Sequence, residues 1–261
     1  MKIQSFQVNA FTGNNFLGNP AVVCCLKTWI DDQSLQSIAF QNQVSETAFL
    51  VESNSEYHLR WFTPKVEIDL CGHATLASGF VVFSYLAPHL TEVCFNTVSG
   101  KLCVEKSGDL LMLDLPTRRP RKSIANPLLI QGLGGVPEEV LISRDILAVF
   151  KDETQVRTIV PDFKCLSQLE ETFGVIVTAP GESVDFVSRF FAPNAGIFED
   201  SVTGSAHCTL IPYWADRLDI SRLHAYQLSS RGGELFCLNR GDRVSISGRA
   251  LLDRKWEIID T

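Results

Sequence analysis

The sequence predicts an α+β protein built as two similar domains, each with strands wrapped around one buried helix. Three observations lead there. Apolar/polar alternation punctuated by turn residues dominates the chain and reads as strands. The segment 73–86 (HATLASGFVVFSYL) is apolar nearly all round, so a helix there has no face for water. Finally, WFTP at 61–64 matches FFAP at 190–193, and each is followed by a loop and a glycine that opens a helix. The Pro-to-Gly distance is 8 residues in the first copy (64 to 72) and 11 in the second (193 to 204). A strand–loop–helix unit that recurs in this order is expected to be a duplication, with the two copies facing each other across a cleft.

The elements follow in order. The chain starts on an alternating strand with Phe6, Val8 and Ala10 on one face, and a Gly/Asn/Pro turn precedes the strand AVVCCL at 21–26. Residues 31–43 carry an acidic N-cap and place Leu35, Ile38 and Ala39 at helical spacing, which predicts a short amphipathic helix. ETAFLVE and YHLRWF are strands, the second with Tyr57, Leu59 and Trp61 alternating. Within 73–86, Ala, Ser and Gly stand where backbone must approach closely. A meander covers Thr91 to Leu115, with turns at Ser99-Gly100 and Ser107-Gly108-Asp109. PTRRPRKSIANP at 116–127 combines three prolines with a charge run and is the expected domain boundary. Its basic cluster, Arg118, Arg119, Arg121 and Lys122, reads as a solvated linker. The domains are therefore expected at 1–115 and 116–261, with the last strand (about 250–261) returning to the first. The second half continues with strands at 174–179 and 184–191, a helix at 204–217 and a final meander over roughly 224–258.

With 261 residues, 45% of them hydrophobic and 20% charged, the chain can bury a substantial core. A formal charge of -7 speaks against nucleic acid or an anionic membrane as a main partner. No apolar run approaches the ~18–20 residues of a membrane helix. The N-terminal strand does not read as a signal peptide, so the expected compartment is the cytoplasm and the eight cysteines are expected to stay reduced. They contain no C-x-x-C pair, and no structural zinc is expected.

Gly72 and Gly204 each open a helix whose first N–H groups lack intrahelical partners and sit at the positive end of the dipole. Two such starts fit a carboxylate; tight turns and helix packing are the plainer reading of the same glycines. Cys71 precedes the first start, where a thiolate would be stabilised. Thr203 holds the matching place in the second copy and cannot act as a second thiol, so Cys71 reads as a buried filler. His73 falls in the first helical turn, Asp200 reads as a cap of the second helix or of the turn before it, and Glu46 on spacing alone is a strand-start carboxylate. His207 and Cys208 do not make a metal site with Cys71 and His73, because adjacent helical side chains diverge.

Taken together, GNPAVVC (18–24), SETAF (45–49), RWFTP…E (60–67), LCGHATLA (70–77), EDSVTGSAH (199–207) and HAYQLSSRGGEL (224–235) resemble the PhzF-like family of phenazine-biosynthesis isomerases over essentially the whole chain. The resemblance implies the diaminopimelate epimerase-like fold: two domains related by a pseudo-twofold, each a curved, mostly antiparallel sheet or barrel around a central helix, with the active site between them. It implies a cofactor-independent isomerase, without metal, that moves a proton within a small carboxylic acid, and a homodimer. Glu46 in SETAF takes the place of the proton-transferring glutamate, assisted by His73 in CGHAT and Asp200 in EDSVTGSA. Gly72, Gly204 and Ser205 map onto the helix starts that hold the substrate carboxylate, with Ser45 and Thr203 beside them. Two departures bear on the substrate: Ser201 stands where the family commonly has proline, and VEIDL before Cys71 is more polar than usual. The alternatives are a racemase or epimerase, against which Thr203 speaks, and a protein of the same fold that acts by binding a partner, against which the joint presence of Glu46, His73 and Asp200 speaks.

Overall fold

The computed structural model describes residues 2–170 and 172–259. It divides into two compact units: Met1–Asp114 with Ser247–Thr261, and Leu115–Ile246.

The first unit holds β1 (Lys2–Thr12), β2 (Asn19–Leu26), α1 (Asp32–Asn42), β3 (Glu46–Ser53), β4 (Glu56–Phe62), β5 (Glu67–Ile68), α2 (Gly72–Val81), β6 (Glu92–Thr97), β7 (Gly100–Ser107) and β8 (Leu110–Pro116). The long last strand of the chain, Arg243–Ile259, belongs to it from Ser247 onward. Hydrogen-bonded neighbours run from β1 through β2, β3, β4, β6, β7 and β8 to that last strand and back to β1. The sheet is thus closed into an eight-stranded barrel, which leaves no edge among these strands.

Helix α2 packs against β1, β2, β3 and β7, and every residue from His73 to Gly79 is buried. Small residues are required there. A Cβ placed on Gly79 would lie 2.8 Å from Val104 Cγ1 on β7. The expected single helix over 73–86 is in fact α-helical only to Val81 and continues as a π turn over Val82–Leu86, closed by the Ala87 N–H donating to the Val82 carbonyl at 2.8 Å. Helix α1 begins as its sequence predicts: Asp31 accepts from the Ser34 N–H at 2.9 Å, and Leu35, Ile38 and Ala39 are buried.

The second unit contains β9 (Arg121–Lys122), α3 (Pro127–Leu133), β10 (Glu139–Ile142), β11 (Ile146–Val149), α4 (Glu153–Thr158), α5 (Phe163–Leu166), β12 (Val175–Pro180), β13 (Phe186–Ala192), β14 (Ile197–Asp200), α6 (Gly204–Leu218), β15 (Arg222–Gln227) and β16 (Gly233–Asn239). The last strand of the chain is β17. The duplication is visible in the pairing pattern. In the first unit β1–β2 is antiparallel, β2–β3 parallel, β3–β4 antiparallel, β4–β6 parallel and β6–β7 antiparallel. In the second, β10–β11, β11–β12, β12–β13, β13–β15 and β15–β16 repeat that order of orientations. Short β5 and β14 pair antiparallel with β4 and β13, and α2 and α6 occupy equivalent places in their repeats.

Two expectations need correction. The cysteines are not all reduced: Cys94 and Cys103 form a disulfide. The two-residue turn between β6 and β7 puts these residues directly opposite each other, with Cα atoms 4.0 Å apart. The basic linker is not merely solvated. The Arg118 N–H donates to the Cys208 carbonyl at 2.9 Å, and Arg119 pairs with Asp216 at 2.5 Å.

Candidate active site

Three element starts in the first unit converge. Asn19 opens β2, Glu46 opens β3 and His73 is the second residue of α2. The parallel register pairs Ala21 with Glu46, which places Asn19, two residues earlier on the same face of β2, near the glutamate. Glu46 and His73 are only 5% and 4% exposed, in a barrel whose other inward side chains are mostly apolar. His73 Nε2 lies 3.0 Å from Glu46 Oε2. That oxygen nevertheless has no hydrogen-bond partner, so the contact is close but poorly aligned. On the other side of the ring, the Asn19 amide nitrogen is 3.2 Å from Nδ1 and Cys71 Sγ is 3.6 Å away.

Burial disfavours a charged imidazole, but the neighbouring Cys71 sulfur and, after it, the Glu46 carboxylate favour one, and together they hold the His73 pKa well above its usual value. The share of the Cys71 sulfur requires a thiolate, and burial raises the pKa of that thiol. With the Asn19 amide nitrogen towards the ring, Nδ1 accepts and Nε2 carries the proton. Turning the amide over lets Nδ1–H donate to its oxygen, the arrangement a doubly protonated ring would take. Cys71 therefore does more than fill space: it is the N-cap of α2, with no side-chain capping bond, and its sulfur touches the histidine.

In the second unit the segment from Glu199 to Thr203 is tethered on several sides. Arg189 grips Glu199 through two hydrogen bonds, at 2.7 and 3.1 Å. Gln227, fully buried, accepts from the Thr203 N–H at 2.8 Å and donates to the Asp200 carbonyl at 2.9 Å. The Thr203 hydroxyl donates to Asp200 Oδ2 at 2.7 Å, and the Ser229 hydroxyl donates to the Ser201 carbonyl at 2.8 Å. These bonds hold the loop where the family pattern would have a proline. Asp200 is thus bonded within the turn and does not cap α6, whose N-cap is Thr203, again without a side-chain capping bond. Just inside α6, Ser205 accepts from Arg144 Nη2 at 3.0 Å. His207 Nδ1–H donates to the Thr203 carbonyl at 2.9 Å, and its Nε2 is buried without a partner. Desolvation pushes the His207 pKa down to about 4.

The structure brings Glu46, Gly72 and His73 together in one unit and Asp200, Thr203, Gly204 and Ser205 together in the other. Ser45 is exposed at the bend before β3. Residue reasoning passes over Asn19, Arg144 and Gln227. Two trios of donor side chains capable of holding a metal occur among the described residues: Glu46, Cys71 and His73, and Glu92, Cys94 and Cys103. No helix among them is long and apolar enough to cross a membrane.

Residues 8–255 match the family model described as phenazine biosynthesis-like protein. The chain is 49% identical over 252 residues to an uncharacterized isomerase of Pseudomonas aeruginosa, covering 97% of each. It superposes with a TM-score of 0.97 on the crystal structure of a PhzF-family phenazine biosynthesis protein from Enterococcus faecalis, at 46% identity, over 99% of this chain and 100% of that one. A hydroxyproline epimerase from Agrobacterium vitis shares the fold, with a TM-score of 0.64 at 9% identity over 98% of this chain and 92% of that one. The architecture is thus the diaminopimelate and proline epimerase-like α+β fold, with similar units built on a repeated strand order.

Proposed function

Because the chain belongs to the PhzC/PhzF phenazine biosynthesis-like family, whose curated relatives include named isomerases, we propose that it is a cofactor-independent isomerase that relocates a proton within a small carboxylic acid. The observation that carries this reading is the buried Glu46 carboxylate, with one oxygen 3.0 Å from His73 Nε2 yet free of any hydrogen bond. In the proposed step Glu46 removes a proton from a carbon adjacent to an unsaturated or carboxyl-bearing centre. The electron pair delocalises into that system, and His73, as an N–H donor, meets the developing negative charge. Glu46 then returns the proton to a different carbon, so the bond made and the bond broken are both C–H bonds and no redox partner is needed. The second unit's cluster is proposed to hold the substrate's polar groups. Its means are Asp200, Thr203 and Ser205, and the α6 start, where Gly204 removes side-chain hindrance to a carboxylate. Gly72 has the same role at the start of α2, and Ser45 borders Glu46. The reading extends to a homodimer in the cytoplasm, whose subunit number sedimentation equilibrium measures.

The test is turnover in deuterated water against a panel of small unsaturated and amino-substituted carboxylic acids. Wild-type product should carry solvent deuterium at the newly protonated carbon, diluted by any direct return of the abstracted proton before Glu46 exchanges with solvent. Label at the original stereocentre alone, with inversion, points to an epimerase. Glu46→Gln keeps the side-chain size and loses the base, so turnover should drop by about 10²–10⁴-fold while binding persists. Near wild-type turnover in Glu46→Gln refutes the assignment.

A further inference from the structure

Glu46, Cys71 and His73 have a second chemistry in common. Each offers one donor atom, all three are buried, and the donor atoms lie within 4.8 Å of one another. We propose that these side chains form a binding site for Zn2+ and that the bound cation turns the isomerase site off. The inhibitory half rests on Glu46 being the base; the binding half does not.

On binding, the Cys71 thiol and His73 Nε2 give up their protons to solvent, and the donor set becomes one thiolate, one imidazole and one carboxylate, a mixture that suits zinc and not the hard cations Mg2+ or Ca2+. Zinc bonds of about 2.0–2.3 Å in a tetrahedron place donors roughly 3.3–3.6 Å apart. Here Nε2 and Oε2 are 3.0 Å apart, and Sγ and Nε2 are 4.0 Å apart. Closing the trio onto an ion requires side-chain shifts of about 1 Å, within reach of small torsional changes. The carboxylate oxygen nearest the ring is already stripped of water and has no hydrogen bond to lose. On the far side of the imidazole, the Asn19 amide nitrogen sits 3.2 Å from Nδ1, and turning that amide over puts its oxygen there to accept from Nδ1–H, as the outer partner of a ligating histidine does. Three protein ligands leave a fourth position for water. The other donor trio does not compete, since the Cys94 and Cys103 sulfurs are bonded to each other. A carboxylate engaged by a cation cannot accept a proton, and an imidazole ligated through Nε2 cannot donate from it. Occupancy therefore disables both groups used by the proposed reaction.

Cobalt(II) supplies a visible probe for the same geometry. Metal-free protein with its disulfide intact, titrated with CoCl2, should develop the ligand-field bands of a tetrahedral ion and a thiolate-to-cobalt charge-transfer band, and Zn2+ should bleach both. Cys71→Ser, or Cys71→Ala if the serine variant does not fold, should abolish the charge-transfer band. His73→Gln should weaken binding at least ~10-fold. A Cys94→Ser/Cys103→Ser double variant should show the wild-type spectrum. A charge-transfer band that survives loss of the Cys71 sulfur, or that wild type lacks, overturns the proposal. Zn2+ binding without loss of proton exchange on a substrate overturns its inhibitory half. A metal-free enzyme that binds cobalt as expected yet never exchanges a proton counts against the isomerase reading and leaves the cation site in place.

Discussion

Gly79→Ala adds a single methyl group inside the barrel, and the structure says what that group meets. Its Cβ would lie 2.8 Å from Val104 Cγ1, 3.0 Å from Val104 Cβ and 3.3 Å from Val104 Cγ2. Val104 is fully buried, and a β-branched side chain has few rotamers to retreat into. In an unobstructed helix the same substitution would stabilise by about 1 kcal/mol, because glycine loses more backbone entropy. Overpacking a tight core costs about 1–3 kcal/mol. The clash involves a stiff neighbour on a closed sheet, so overpacking should win, with a net loss of roughly 1–2 kcal/mol. Val104→Ala alone loses two buried methyl groups at ~0.8 kcal/mol each, plus a cavity term. In the double variant the methyl group added at position 79 moves into the vacated space, so the two losses should fall short of adding by about 1–2 kcal/mol. Urea unfolding of wild type, both single variants and the double variant measures this coupling. A Gly79→Ala protein as stable as wild type, or a cycle additive within ~0.5 kcal/mol, would refute the claim that close approach of α2 to β7 dictates the glycine.

Two further outcomes follow from burial and register. His207 has a folded-state pKa near 4 against 6.5 for the exposed group, so the unfolded chain binds the extra proton first as pH falls. Its neutral burial leaves stability intact above pH ~6.5 and removes it progressively towards pH ~4, by up to ~3 kcal/mol. His207→Gln should flatten the stability profile in that window, and parallel profiles for the two proteins would contradict this. The Cys94–Cys103 bond closes a short loop, with a sequence separation of 9. Its reduction should cost about 2–3 kcal/mol, read as a lower urea midpoint with a reductant in wild type but not in Cys94→Ser/Cys103→Ser; equal midpoints in wild type with and without the reductant would be the contrary result.

Helix α2 is legible because its residues leave no polar face, as with Ala74, Leu76 and Ala77, and α1 because it carries a clear start at Asp31. The elements between Pro127 and Leu166 are not. Runs such as EVLI and ILAV are four residues long, and at that length periodicity does not separate strand from buried helix. Among the site residues, Glu46 owes its prominence to resemblance alone, since nothing in ETAFLVE distinguishes a working carboxylate from a strand start. Gln227 does leave a signal: it shares the inward register of Leu223 and Ala225 in RLHAYQ, and a polar residue on a core-facing register needs a reason. The disulfide is readable too. A two-residue turn at 98–99 makes 94 and 103 partners, a geometry that the expectation of a reducing compartment overrides. Asn19 and Arg144 act through partners distant in sequence, which no local pattern encodes.

β17 gives the molecule an unusual order of completion. The first unit's barrel closes only when residues from Ser247 onward insert between β1 and β8, whereas the second unit is one continuous stretch, Leu115–Ile246. As the chain emerges from a ribosome, the part that starts first finishes last. Until then β1 and β8 expose unpaired backbone, the condition that invites association with other chains. A nonsense mutation or protease cut near residue 246 therefore spares the second unit's segment and opens the barrel holding Glu46 and His73. Damage at the C-terminal end of the chain should be felt at Glu46 and His73, far earlier in the sequence.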